Sequence, residues 1–282
     1  MIERIAILGA GTMGHGIAQV CSMAGYKTTL YDISQQAIDS GLKKVELNLQ
    51  KGIDRGKVSV DTKARALANL SGNSVLEQAV QQANLVIEAV PEKLDLKRSL
   101  FRQVDSYTAA DTIMGSNTSS ISIADIATVL EDPANMIGLH FFNPVHIMKL
   151  LEMVVHPNTA QRVIDACQVF SERIGKDSIL VQNIPGFATS RLGVALGMEA
   201  IRMLQDGVAS AADIDKAMVL GYKHPVGPLR LTDMVGLDVR LAIGEYLAKE
   251  LNNPAFEPPD LLRQKVAAGH VGKKVGQGFY SW

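Results

Sequence analysis

Residues 3 to 32 read "ERIAILGAGTMGHGIAQVCSMAGYKTTLYD", and this stretch decides the fold. Its first six residues form a short apolar run of the kind a parallel sheet buries on both faces. "MGHGIAQVCSMAGY" then places Ile17, Val20, Cys21 and Ala24 at helical spacing, and "KTTLYD" is rich in β-formers and ends on an acid. Strand, helix and strand close a βαβ unit by Asp32. Between the first strand and the helix, Gly9, Gly11 and Gly14 form G-x-G-x-x-G. The pattern has a mechanism: a tight turn at Gly9, backbone approach to a pyrophosphate at Gly11, close helix packing at Gly14, and a helix N-terminus facing the phosphates. Thr12 and Met13, which open that helix, are counted among the cofactor contacts. Asp32 lies 18 residues beyond Gly14, where a carboxylate accepts hydrogen bonds from ribose hydroxyls and repels a 2′-phosphate. NAD is therefore expected rather than NADP. The competing reading, glycines that only pack a helix and an Asp that only caps the next one, gives no reason for strand, turn, helix and acid to follow in this order.

The apolar run 5–25 also needs testing as a signal or membrane segment, since Arg4 precedes it. Gly9, Gly11, Gly14, Gly16, His15 and Gln19 interrupt it, and no later stretch offers about 18 uninterrupted apolar residues. Neither a leader nor a membrane span is expected.

Downstream the alternation continues. A charged helical pattern runs from Ser34 to about Arg65, and strands are predicted at 84–90, 112–117 and 136–141, with helices near 94–106 and 122–130 between them. Further strands are predicted at 149–155 and 178–181, around a helix at 159–174. The fifty or so residues between the second and third strands exceed an ordinary crossover, so an inserted helical pair is expected, a helical insertion at about 34–80. Such alternation means a doubly wound α/β sheet of the Rossmann type. After "QNIPGF" at 182–187 only helical patterns follow, at 190–204, 210–220 and 237–251. The expected domains are therefore 1–183, binding the dinucleotide, and 184–282, all-α.

The chain has 282 residues with 28 Lys plus Arg against 29 Asp plus Glu, a formal charge of −1. No global field draws it to nucleic acid or to an acidic membrane, so an anionic ligand must be gripped locally. Its two cysteines, Cys21 and Cys167, make neither a disulfide framework nor a metal pattern and fit a reducing cytoplasm; no metal is expected.

Chemistry is concentrated in "GLHFFNPVHIMKLLEMV", residues 138–154. Asn143 and Pro144 interrupt one apolar strand and a second begins near Lys149, so the chain turns between them. A reversal centred on His146 brings His140 opposite Glu152 and leaves His146 in the turn as a structural residue. A carboxylate on one imidazole nitrogen fixes tautomer and orientation and stabilises the imidazolium formed when the other nitrogen takes a proton. The bland alternative is a core histidine beside an unrelated surface glutamate. It loses weight because strand 136–141 ends beside the crevice where an open α/β sheet binds its ligand. "SNTSS" at 116–120 borders the same crevice: Asn117 and Ser119 face the ligand while Ser120 or Ser122 caps the following helix.

Taken together, "GAGTMGHGIA", "YD", "VIEAVPE", "SNTSS", "GLHFFNPV", "PGFATSR", "HPVGPL" and "GKKVGQGFY" resemble the L-3-hydroxyacyl-CoA dehydrogenases over essentially the whole chain, most closely the short bacterial 3-hydroxybutyryl-CoA dehydrogenases. The resemblance implies a Rossmann domain followed by a helical domain that forms a homodimer, with NAD as cofactor and an acyl-CoA as substrate. It implies His140 as general base, Glu152 as its partner, and Ser119 and Asn143 holding the reacting oxygen and its neighbours. Glu92 and Lys97 after "EAVP", and Lys274 in the tail, are implied cofactor contacts. Ser190 stands where many members carry Asn; a shorter hydroxyl replaces an amide, and Ser190 is carried over as a substrate contact on that footing. His146 stands where proline is common. The resemblance also places the helical insertion against the CoA tail, which singles out Asn48, Arg55 and Lys57. The implied reaction is reversible hydride transfer between NAD and C3 of a short-chain (S)-3-hydroxyacyl-CoA. Two other readings stay open: a dehydrogenase of a free hydroxy acid or sugar acid, and a dinucleotide-binding protein without catalysis.

Overall fold

Ile5, Ala6, Ile7 and Leu8 are all but inaccessible to solvent, which requires a strand covered on both faces. In the computed structural model, which describes residues 1–282, they form β1 (Arg4–Leu8), third in an eight-stranded sheet of order β3-β2-β1-β4-β5-β6-β7-β8. The remaining strands are β2 (Lys27–Tyr31), β3 (Leu70–Asn73), β4 (Leu85–Glu88), β5 (Ile113–Ser116), β6 (Met136–Phe141), β7 (Leu150–Val155) and β8 (Asp177–Gln182). Every neighbouring pair is parallel except β6 with β7. Strand order therefore reverses direction at β1 and β4, the place where a doubly wound sheet opens a crevice at its carboxyl edge.

The crossovers are α1 (Thr12–Met23), α2 (Gln35–Asp54), α3 (Val60–Ala68), α4 (Leu76–Val80), α5 (Leu94–Tyr107), α6 (Ile123–Ala127) and α7 (Gln161–Arg173). Their apolar faces close over the sheet, with Ile17, Ile38, Phe101 and Phe170 at 0–1% exposure. Burial of each such side chain contributes about 1.5–3 kcal/mol. Ser34, Ser59 and Ser122 cap α2, α3 and α6 by accepting from the backbone N–H of Ala37, Thr62 and Asp125. The insertion holds the expected helical pair, α2 and α3, separated at Gly56, whose φ is +67°, but it is not wholly helical. Residues 70–73 pair with β2 as an edge strand.

Residues 184–282 form a second unit with its own core, built on Val194, Met198, Ile201, Leu229, Leu237 and Leu247. Its helices are α8 (Thr189–Gln205), α9 (Ala211–Gly221), α10 (Pro228–Val235), α11 (Leu237–Leu251) and α12 (Asp260–Ala267). The short α10 and α12 lie outside the three long helices expected here. Pro228 opens α10 at its first position, where a missing N–H costs nothing. Buried Asp233 on α10 then holds the tail by accepting from Phe279 N, Tyr280 N and Trp282 Nε1 at 2.8–2.9 Å. No helix is long and apolar enough to cross a membrane.

Candidate active site

The turn after β1 shows why three glycines stand there. Gly9 has φ +104°, and a Cβ on it would lie 2.7 Å from the carbonyl oxygen of Ala89. A Cβ on Gly14 would collide with the Gly9 carbonyl. Gly11 differs, since a Cβ there would meet nothing within 4 Å. No neighbour in the chain calls for glycine at position 11, whereas a pyrophosphate lying against the backbone does. Gly11 is also the N-cap of α1, which has no side-chain cap and no acid in its first turn, so the N–H groups of Thr12 and Met13 head an uncapped helix. Asp32, just beyond β2, secures the loop: Oδ2 accepts from Ala10 N at 2.9 Å and Oδ1 from Ser34 N at 3.1 Å. These residues fit a dinucleotide.

At the ends of β4 and β5 the structure holds a knot that the sequence reading missed. Glu88 is fully buried; its Oε1 accepts from Val90 N and Lys97 Nζ, both at 2.7 Å, and its Oε2 from Ser116 Oγ at 2.6 Å. Burial holds the Glu88 carboxyl above its ordinary value, with the Lys97 charge opposing. Lys97, 1% exposed, also reaches Oε2 of Glu92 at 3.1 Å and the carbonyl of Val90 at 3.4 Å. Its ammonium is thus placed among protein acceptors. Glu92 in turn gathers the "SNTSS" loop, its Oε1 accepting from Thr118 Oγ1 at 2.6 Å and Ser119 N at 2.9 Å. Burial pushes the Glu92 carboxyl up, but the Lys97 charge and these hydrogen bonds outweigh it and hold it below its ordinary value. Asn117 completes the crevice wall: its Oδ1 accepts from Phe141 N at 2.8 Å and ties the end of β5 to the end of β6. A signal for Glu88 existed in "LVIE", an acid closing an otherwise apolar strand.

His140 and Glu152 are cross-strand partners in the β6–β7 ladder. Nδ1 of His140 stands 2.6 Å from Oε2 of Glu152, with the two side chains 9% and 0% exposed, and the Phe142 ring lies 4.4 Å from the imidazole centroid. The turn that makes this pairing runs from Phe142 to Lys149. Ile147 N and Met148 N both donate to the carbonyl of Pro144, and exposed Asn143 precedes a cis peptide. Two contacts seat the turn. Val145 packs on Gly16 of α1, where a Cβ would lie 3.0 Å from the Val145 side chain. Lys176, buried at the head of β8, donates to the carbonyls of Val145 and Met148. Burial lowers its affinity for a proton.

A groove of about 600 Å³ opens between α1, the end of α2, the 142–149 turn and the end of α7. The structure brings Asn48, Arg55 and Lys57 together there and adds Lys51, Lys149, Arg173 and Lys176, with no carboxylate on its walls. Asn48 is held by Gln19, 3.3 Å away. Exposed His146 lines the same groove; burial, then Lys176, His15 and Arg55, hold its imidazole below its ordinary value. Lys149, Arg173 and Lys176 come from elements remote from the insertion, and spacing alone carries no signal of their convergence. In the helical unit Ser190 lies in the first turn of α8, and Lys274 binds both oxygens of Asp238 at 2.6–2.7 Å.

Comparison with known proteins supplies names for this arrangement. The family model described as the NAD binding domain of 3-hydroxyacyl-CoA dehydrogenase matches residues 4–184, and the C-terminal domain of the same family matches residues 186–282. A probable 3-hydroxybutyryl-CoA dehydrogenase of Bacillus subtilis is 39% identical, covering 100% of this chain and 98% of the relative. The human mitochondrial hydroxyacyl-coenzyme A dehydrogenase is 36% identical, covering 100% and 92%. The crystal structure of (S)-3-hydroxybutyryl-CoA dehydrogenase from Ralstonia eutropha superposes with a TM-score of 0.97 at 40% identity, covering 100% of this chain and 99% of that one.

Proposed function

This chain belongs to the 3-hydroxyacyl-CoA dehydrogenase family and is an NAD-dependent oxidoreductase, and from that premise we propose that it interconverts a short-chain (S)-3-hydroxyacyl-CoA, such as 3-hydroxybutyryl-CoA, and its 3-oxo counterpart, with His140 and Glu152 handling the proton. The observation that carries this reading is the buried 2.6 Å contact between Nδ1 of His140 and the Glu152 carboxylate. A carboxylate only accepts, so Nδ1 carries the hydrogen and Nε2 is the atom that exchanges a proton with substrate. In oxidation His140 takes the hydroxyl proton and Glu152 stabilises the imidazolium; in reduction the same ring returns it. NAD, when bound, supplies the hydride acceptor at its nicotinamide. Because oxidation also releases a proton, acid favours reduction and alkali oxidation.

Ser119 and Asn143 hold the reacting oxygen and its neighbours. Gly9, Gly11, Thr12, Met13, Gly14, Asp32 and Asn117 hold the dinucleotide, and Lys274 is a further contact to it. Glu92 serves by fixing the loop that presents Ser119, with Lys97 acting through Glu92. Asn48, Arg55 and Lys57 meet the CoA tail in the cationic groove, and Ser190 contacts the acyl group. A homodimer through the helical unit is supported by Leu192, Leu220 and Tyr222, exposed at 71%, 70% and 76%. The two buried, unpaired cysteines support a cytoplasmic setting.

The test is NADH oxidation over a panel of 3-oxoacyl-CoA substrates of increasing length, with free acetoacetate alongside. Turnover is expected with acetoacetyl-CoA and not with the free acid. NADH binding without turnover on any acyl-CoA overturns the proposal.

A further inference from the structure

The turn that pairs His140 with Glu152 carries a second imidazole, His146, and the chain fixes where it stands. Val145, one residue before it, packs on Gly16 of α1, where a Cβ would lie 3.0 Å from the Val145 side chain. Lys176 then spans His146 by donating to the carbonyls of Val145 and Met148. Contact between positions 16 and 145 brings their chain neighbours His15 and His146 near each other, close enough that a charge on His15 disfavours a proton on His146. His15 is itself fastened. Its Nδ1 lies 2.7 Å from the carbonyl oxygen of Gly11, and since a carbonyl only accepts, Nδ1 carries the hydrogen and Nε2 is the nitrogen that titrates.

Every other ionisable group on the walls of the groove is a base. Lys51, Arg55 and Lys57 come from the end of α2 and the loop after it, while Lys149, Arg173 and Lys176 come from the turn, the end of α7 and the head of β8. No carboxylate answers them there. Among these wall residues an imidazole alone has its ordinary titration between about pH 5 and 8. Burial, then Lys176, His15 and Arg55, hold His146 below its ordinary value, so that within the chain alone it is neutral at neutral pH. A phosphate set among the same cations would place an opposite charge beside the ring and reverse that balance.

We propose that His146, tuned by its neighbour His15, grips a phosphate of the CoA tail in its protonated form, so that acyl-CoA binding draws a proton from solution. The inference rests on the reading that lays the CoA tail in this groove. By linkage, an imidazole held low without the anion and raised by it adds most to binding at a pH below its free value, and the gain is lost as pH rises through its bound value. The tail is the same on the 3-hydroxy and 3-oxo thioesters. The grip therefore lowers KM in both directions alike in acid, whereas titration of His140 acts oppositely on oxidation and reduction.

The experiment measures Kd for CoA by isothermal titration calorimetry, from about pH 5.5 to about pH 8.5, on the parent chain, His146→Gln and His15→Gln. The second ionisation of a phosphate, at about pH 6, is common to all three and cancels in their ratios. In acid His146→Gln should bind CoA about two- to fivefold more weakly than the parent, the worth of one exposed charge pair, and the ratio should close to about one in alkali. His15→Gln removes a neighbouring positive charge and should move the loss of the grip to higher pH. Acetoacetyl-pantetheine, without nucleotide phosphates, should show the same KM in the parent and in His146→Gln at every pH. Dephospho-CoA identifies the phosphate that is held: a ratio that survives its use assigns the pyrophosphate, and one that vanishes assigns the 3′-phosphate. A ratio for His146→Gln that does not change with pH, while Arg55→Ala still weakens CoA binding, overturns the proposal and leaves the tail in the groove. If neither substitution affects CoA binding, the tail lies elsewhere, and the reading falls together with the proposal.

Discussion

The crevice edge of the sheet carries two buried carboxylate–nitrogen contacts, and they have opposite characters. In the Glu88–Lys97–Glu92 knot the ammonium meets two carboxylates and a carbonyl, while both Glu88 oxygens are occupied. In the other, Oε2 of Glu152 meets Nδ1 of an imidazole across a strand ladder. The Lys97 ammonium is engaged by three protein acceptors and holds a loop, whereas an imidazole is the side chain suited to proton exchange near neutrality. Burial of charge therefore does not by itself identify chemistry. What separates the two sites is the kind of nitrogen that faces the carboxylate: an ammonium in one and an imidazole, with a second nitrogen of its own, in the other.

The sharpest way to break this contrast is to disable one member of each pair and ask which property fails. His140→Gln should lower kcat by about 10²–10⁴-fold, with NADH affinity changed by less than about threefold, since general acid–base catalysis supplies that much rate. Steady-state kinetics and NADH fluorescence titration check it, and near-normal turnover removes His140 from the mechanism. Lys97→Met should instead be a stability variant. It leaves Glu88 buried without its counterion, a change that costs about 3–5 kcal/mol. Adding Glu88→Met should recover much of the loss. Calorimetry on the single and double variants decides: a single variant as stable as the parent would show that the knot is not holding the loop.

How much of this was legible depends on whether a feature is periodic or convergent. The sheet could be read because apolar runs, helical spacing and the glycine turn each imply their own structure locally. The pairing of positions 140 and 152 could be read from the turn midway between them. β3 could not: "LSGN" contains residues that strands avoid, half-exposed at an edge, and only its pairing with β2 makes it a strand. Lys97 was expected to meet the cofactor, and its placement against Glu88 depends on two elements packing side by side. Arg240 sits on a readable stripe along α11, but only the surrounding structure reveals that its Nε is enclosed without a partner.

A smaller effect tests how firmly the His140–Glu152 contact is held. Lys176 clamps the turn between these two residues by binding the carbonyls of Val145 and Met148, yet touches neither member of the pair. Lys176→Met keeps the apolar stem and removes both hydrogen bonds to a charged donor. An expected fall in kcat of about tenfold corresponds to part of the roughly 1.5–3 kcal/mol that such bonds contribute. Lys176→Arg should restore a share of it, since two donors can again reach the turn. A structural role remote from the pair would lower stability alone and leave the pH profile of kcat unmoved; a positioning role should alter that profile.

The least effect belongs to the cationic groove, where charge is spread over several exposed side chains. Arg55→Ala and Lys57→Ala should each raise KM for acetoacetyl-CoA by about two- to fivefold, in line with the modest worth of single exposed charges, and leave kcat nearly unchanged. KM should rise with salt, because screening over about 8–10 Å weakens each contact with a phosphate. Acetoacetyl-pantetheine, which lacks the nucleotide phosphates, should show neither effect. His146 provides a direct reporter. Its imidazole is held low by burial and by Lys176, His15 and Arg55, so an anion placed among those cations favours its protonated form. Proton NMR titration should therefore show its pKa rising when CoA is added, and rising less when dephospho-CoA, one phosphate shorter, takes its place. Identical titrations with and without CoA would mean that the tail follows another path, even if catalysis at His140 stands.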